Sequence, residues 1–316
     1  MTTQTQQKKP AYRAAKYDQD FIRRSKGEKI FNVCNLIFMG ILLIFLLYPI
    51  LNVVSISFSN ETEVMAANVT FYPKGFNPQA YETIFKDSEL WRSIWNSVLV
   101  AFGGCALSIV SLCIAAYPLA FAEFYGKRFY TLIIMFTMWF QGGIVPLFLT
   151  IKNLGLYDSL WALVLNGLVS AYNVVIIRSY FNSIPMSIVE SAHLDGANDF
   201  TILFRLIVPL SKPVLATVAL WVIVGHWNDY MNPLVLISKT NNFTLQLKLK
   251  SLVLAAESST SNLSTLSQST DHKGVAALST QVKNAVLVVS MVPMLVIYPF
   301  IQQFFVSGVM LGSVKG

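Results

Sequence analysis

Two short stretches of this 316-residue chain hold most of the side chains able to do chemistry. The first, ESAHLDGANDFTILFRLIVPLSKP from Glu190 to Pro213, carries Glu190, Asp195, Asp199, Arg205 and Lys212 between long apolar runs. Ser191, Ala192, Gly196 and Ala197 gather beside the acids, and small residues let another backbone approach closely. That combination offers recognition of a docking partner; an amphipathic loop at the membrane interface accounts for the same residues equally well. Only Arg205 and Lys212 oppose three acids, so DNA reading by this turn is excluded. The second stretch, HWNDYMN, supplies Trp227, Asn228, Asp229, Tyr230 and Asn232, with Gln141, Asn166, Tyr172 and Asn173 as companions. Aromatic faces, planar amides and carboxylates are what sugars bind. Polar groups inside a membrane also join helices, so Asp229 suits a brace at a subunit interface or gate as well.

Bond-making chemistry has no foothold. His193, His226 and His272 are too scattered for a metal site, and H-E-x-x-H, G-x-S-x-G and G-x-x-x-x-G-K-[ST] are all missing. No cofactor, metal or ATP site is expected on this chain, and it is not expected to be an enzyme. An ion-coupled carrier holds several ionisable groups within its spans, whereas this sequence offers essentially Asp229.

The elements that must position these stretches are membrane spans. Hydrophobic residues make up 54% and charged residues 12% of the chain, far from the roughly 25% charged of soluble domains. Five charge-free gaps and a sixth run, Val214 to Leu236, interrupted only by Asp229, predict six transmembrane helices, at about 31–56, 96–121, 130–151, 159–181, 214–236 and 283–305. The remainder is a basic tail (1–29), the polar element 183–213, a loop at 238–281 and a short end, 306–316. Eight Lys and Arg in the amino-terminal tail place it in the cytoplasm, so six spans return the other end there and set the 57–95 and 238–281 loops outside. The net charge of +7 is read as topology and contact with anionic lipid, with no nucleic acid as partner.

Local signals sharpen the polar element. Ser187 and Glu190 fit a capping box, which predicts a helix of about eight residues stopped by Gly196. A second helix is expected from Asp199 to Leu206, ending before Pro209. Outside, a short helix is expected over 80–85, the alternating TLQLKLKSLVL makes an amphipathic strand or an interfacial segment, and Ser258 to Thr270 is expected to be mobile. Cys34, Cys105 and Cys113 are read as small packing residues within spans.

Glu190, Ala192, Asp195, Gly196, Ala197, Ile207, Pro209 and Pro213 resemble, at matching spacing, the EAA signature of permease subunits of bacterial ATP-binding-cassette importers; Ser191 stands where alanine is usual. FYPKGFNPQAYETIF, WNDYMNPL and the closing FFVSGVMLGSVKG extend the likeness to carbohydrate-uptake permeases of the MalG-like and LplC-type group. The resemblance implies an all-α membrane bundle, the six-helix type I importer permease with a cytoplasmic coupling helix, in the bacterial cell membrane. It implies a second, different permease subunit, two ATPase subunits that carry ATP and Mg, an extracellular substrate-binding protein and an oligosaccharide cargo. On it, Glu190, Ser191, Ala192, Asp195, Gly196, Ala197, Ile207 and Pro209 serve the ATPase contact. Gly308, Gly312 and Gly316 extend toward the ATPase dimer. Trp227, Asn228, Asp229, Tyr230, Asn232, Gln141 and Asn173 line the substrate path. LplC-type similarity tilts the cargo toward uronate-containing oligosaccharides. The competing expectation is a stand-alone ion-coupled carrier or channel.

Overall fold

The computed structural model describes residues 26–140, 142–263, 280–296, 298 and 299, and every regular element among them is helical. In chain order these are α1 (Lys26–Ser57), α2 (Glu61–Met65), α3 (Gln79–Lys86), α4 (Ser88–Phe121), α5 (Lys127–Trp139), α6 (Ile144–Asn153) and α7 (Leu160–Leu165). They continue as α8 (Ala171–Phe181), α9 (Met186–Leu194), α10 (Asp199–Leu210), α11 (Lys212–Asn228), α12 (Met231–Leu236), α13 (Leu245–Leu263) and α14 (Thr280–Val296). The chain divides into two units at Ile50 and Leu51. The first is dominated by α1, a 32-residue helix of mean hydropathy 2.6 with Pro49 inside it. The second holds the helices that position the functional stretches.

Within the second unit, α4 sets the scale. It is 34 residues long with a mean hydropathy of 2.4, and the Asp87 carboxylate starts it by accepting the N–H groups of Glu89 (2.9 Å) and Leu90 (3.3 Å). Near this end Asn96 donates to the carbonyls of Asn241 (2.9 Å) and Phe243 (3.0 Å). Near the other end the Tyr117 hydroxyl donates to Asp199 (3.0 Å). Asn96 and Tyr117 are separated along the helix by about 30 Å, the depth of a bilayer's hydrocarbon core. The start of α4 and the loop before α13 therefore sit at one end of the bundle, and the polar element at the other.

Only α1 and α4 are individually long and apolar enough to cross a membrane among the described residues; α5 with α6 and α10 with α11 pass that test as bent pairs. The interruptions have local causes. Gly143, at φ +84°, stands between α5 and α6, and Gly167, at φ +87°, lies between α7 and α8. Asp229 separates α11 from α12 in extended conformation. Broken helices at membrane depth are stable where the freed backbone lines a cavity or finds protein partners.

Several expectations need correction. Ser187 does not cap its helix: α9 begins one residue earlier, after Pro185, and no capping-box hydrogen bond forms. Pro185 occupies the N-cap position, so Ser187 falls inside the first turn, where its hydroxyl cannot act as the cap. The next helix does not stop before Pro209 but widens into a π-turn over Leu203–Ile207 and runs on to Leu210. Proline lacks an N–H and collides with the carbonyl four residues back, and a wide turn relieves both faults. TLQLKLKSLVL is not a strand: it opens helix α13, with Leu245 and Leu249 buried in one apolar cluster and Leu247 in another. A helix wedged between two clusters buries more than one face, and this produces apparent alternation. Cys105 and Cys113 are buried as expected, while Cys34 is exposed on α1. Ser264 to Thr270, from the stretch read as mobile, lie outside the described residues.

Candidate functional site: a docking helix and a polar cavity

Helix α9 turns Val189 and Ala192 into an apolar cluster with Phe181, Ile202, Leu203 and Ile207. Glu190, Ser191, Leu194, Asp195 and Gly196 are exposed, and Leu194 stands out fully, at 89% of its free surface. The helix closes with a complete Schellman turn. The Ala197 N–H donates to the Ala192 carbonyl and the Gly196 N–H to the His193 carbonyl, both at 3.0 Å. Gly196 takes φ +81° to make that turn, with open space where a Cβ would stand. Asn198 then caps α10, its Oδ1 accepting the Thr201 N–H at 2.8 Å. Ile207 is buried behind this surface while Pro209 is exposed.

This knuckle is tied to the bundle electrostatically. Asp199 Oδ1 accepts the Tyr117 hydroxyl and lies 3.6 Å from His193 Nε2. Beside it, the carbonyls that end α4 are met by cations: Arg178 donates to Leu119 (3.0 Å), and Lys127 to Ala120 (3.2 Å) and Ala122 (3.0 Å). Cations at a helix carboxyl end satisfy free carbonyls and oppose the helix dipole.

The polar cavity, about 440 Å³, lies where α11 breaks toward α12 and faces the gap between α7 and α8. Its walls are Asn166, Gly167, Asn173, Trp221, Val222, Gly225, His226, Asn228, Asp229 and Asn232. Asp229 is fixed by its own neighbours: Oδ1 accepts the N–H groups of Met231 and Asn232, both at 3.1 Å, and Oδ2 accepts the Asn232 amide at 2.7 Å. Gly104 on α4 lets His226 approach, since a Cβ there would stand 3.0 Å from the imidazole Nε2.

Of the sequence-derived candidates for the substrate path, Asn173, Asn228, Asp229 and Asn232 meet in this cavity, and so does the companion Asn166. Trp227 does not. It is 2% exposed, and its indole N–H donates to the Ser290 carbonyl at 3.3 Å, locking α11 to α14. Tyr230 lies beyond the lining, and Gln141 and the glycines 308, 312 and 316 lie outside the described residues. Trp221, Gly225 and His226 were missed as wall residues. For Trp221 and Gly225 the signal was helical spacing: 221, 225 and 228 recur at intervals of four and three and share one face of α11.

The far end of the bundle is stapled by Asp158, which adopts φ +62°. Its Oδ1 accepts the N–H groups of Ser238 (3.0 Å) and Lys239 (2.9 Å), and its carbonyl accepts the Asn242 amide (2.7 Å). Lys239 Nζ adds an ion pair at 3.2 Å. These bonds, the Lys239 amide first, hold the Asp158 carboxyl below its ordinary range despite burial.

An all-helical bundle with a protruding, glycine-closed helix at one end and a polar cavity at broken helices defines a membrane permease subunit. The chain belongs to the family described as the binding-protein-dependent transport system inner membrane component, whose model matches residues 106–309. It is 33% identical over 296 residues to protein LplC of Bacillus subtilis strain 168, covering 93% of this chain and 98% of that one. It is 35% identical over 285 residues to the polygalacturonan/rhamnogalacturonan transport system permease protein YtcP of the same organism, covering 89% and 98%. The fold matches a crystal structure of a bacterial ABC transporter involved in import of the acidic polysaccharide alginate. There the TM-score is 0.79 at 31% identity, over 89% of this chain and 98% of the other. The chain is thus a multi-pass membrane permease of binding-protein-dependent transport, and the expectation of a stand-alone carrier or channel is set aside.

Proposed function

We propose that this chain forms half of the translocation pathway of an ATP-driven oligosaccharide importer and receives the ATPase stroke on α9. The other half is a different permease subunit. ATP and Mg are held by two ATPase subunits, and a binding protein delivers the sugar to the end bearing α3 and α13. Six spans leave both termini in the cytoplasm, on the side of α9.

The observation that carries the reading is the exposed face of α9. Glu190 and Leu194 are presented to a partner, Gly196 and Ala197 leave room for its backbone, and Val189 and Ala192 fasten the helix to the bundle. A force applied there reaches α4 through Asp199 and Tyr117 and reaches α11 through the bend after Leu210, where the two helices meet at 85°. Rigid-body transmission of this kind needs contacts that differ between two states, and ATP-driven closure of the partner supplies them.

Co-purification with the gene neighbours in lipid nanodiscs, followed by ATPase assays with oligosaccharide-loaded binding protein, tests this directly. Wild type retains the ATPase, and loaded binding protein stimulates it. Gly196→Asp, strained at φ +81° and charged at the contact, lowers ATPase retention or stimulation about fivefold or more, the equivalent of roughly 1 kcal/mol. Normal stimulation and uptake in that variant refute the assignment of α9.

A further inference from the structure

The fixed charge of the polar cavity's lining is one-sided. Among the described residues that line it there is no lysine or arginine, while Asp229 is held at its wall by three hydrogen bonds. A carboxylate accepts about four, so one acceptor position remains for a ligand hydroxyl. Asn173 is 9% exposed and its amide makes no hydrogen bond with any described residue. Asn173 lines the cavity, so its unpaired amide can hydrogen-bond a group that enters there.

We propose that this cavity takes uncharged, hydroxyl-rich sugar rings and turns uronate rings away. The proposal rests on the reading of the chain as half of a saccharide importer and names the sugar class for this half. A ring hydroxyl both donates and accepts, so it satisfies either end of the Asn173, Asn166 or Asn228 amide and can also donate to Asp229. The Trp221 indole, 5.8 Å between centroids from the Tyr172 ring, adds an aromatic surface for the apolar face of the ring. A uronate carboxylate meets the opposite situation. It would approach the Asp229 carboxylate with no guanidinium or ammonium among the described lining residues to offset the repulsion, and charge-assisted donors are the strong ones for carboxylates. Acidic units of a mixed cargo are therefore received by the partner half, despite the acidic polysaccharides named for the relatives.

The test uses the whole importer in nanodiscs without binding protein. Its tryptophan fluorescence is titrated with galactotriose and with trigalacturonate, which differ by a hydroxymethyl or a carboxylate on each ring. Trp221→Phe identifies the part of the signal that comes from the cavity. Galactotriose is expected to give a Trp221-dependent change, with trigalacturonate weaker by about tenfold or more. Asn228→Lys, which adds a cation at an exposed wall position, is expected to narrow or reverse that ratio. Equal or tighter binding of trigalacturonate to wild type, an unchanged ratio in Asn228→Lys, or no Trp221-dependent signal from either sugar overturns the proposal. ATPase retention and its stimulation by loaded binding protein, measured on the same particles, stand apart. If they persist the importer reading survives whatever the titrations give, and if they are missing that reading fails first.

Discussion

The hydroxyl of Tyr117, close to the end of α4, donates to Oδ1 of Asp199, the first residue of α10, at 3.0 Å. It is the side-chain hydrogen bond that joins α4 to α10, so removing it loosens the link between docking helix and bundle while leaving the apolar cluster beneath intact. Tyr117→Phe is expected to keep the ATPase bound but reduce sugar moved per ATP hydrolysed by about two- to fivefold, matching a hydrogen bond worth about 0.5–1.5 kcal/mol. Asp199→Asn, which retains an acceptor oxygen, should fall between wild type and Asp199→Ala. Unchanged uptake-to-hydrolysis ratios in all three would remove Tyr117 and Asp199 from the transmission path.

Glu190 is exposed and free of the capping box that its sequence suggested. Its carboxylate is therefore available to a partner and contributes little to the fold. Glu190→Gln is expected to leave the thermal midpoint of the isolated permease pair within about 1 °C, since surface changes away from special features cost under about 0.5 kcal/mol. Retention of the ATPase should drop several-fold at low salt and converge with wild type as salt screens the contact. A lowered midpoint with unaltered ATPase retention would give Glu190 a structural role instead.

The Asp158 staple has a defined pH response. Its carboxyl is held below the ordinary range, so the stabilisation is fully present above the unfolded value, about 3.9, and is lost as pH falls through the lower folded value. Amide hydrogen exchange at Ser238 and Lys239 should therefore show constant protection from neutral pH down to about 4, after correction for the intrinsic exchange rate, and then a loss. Asp158→Asn keeps one acceptor but no charge, so its protection should be lower and flat across the same range. Wild-type protection that already falls between about pH 7 and 5 would contradict this account.

Much of the machinery was legible residue by residue. Gly196 announced the end of α9 because few residues accept a left-handed turn, and the Schellman bonds from Gly196 and Ala197 follow from that one conformation. The Asp, Asn and aromatic run after His226 marked a polar cluster within an apolar span, though not the helix break at Asp229. Trp227 misled because it shares that run yet points to the opposite side of α11, toward Ser290. Position along a helix fixes which residues share a face, but the identity of the face that meets a cavity depends on neighbours far away in sequence.

The sequence by itself determined the membrane setting, the all-helical class and the place of the exposed knuckle closed by Gly196, because charge and glycine act locally and their costs do not wait for distant partners. Tertiary structure alone decided that α13 is a helix wedged between two clusters, and that Asn166, Asn173 and Asp229 surround one cavity. Each of these depends on contacts between segments dozens of residues apart, and burial or pairing energy exists only once the bundle has brought them together.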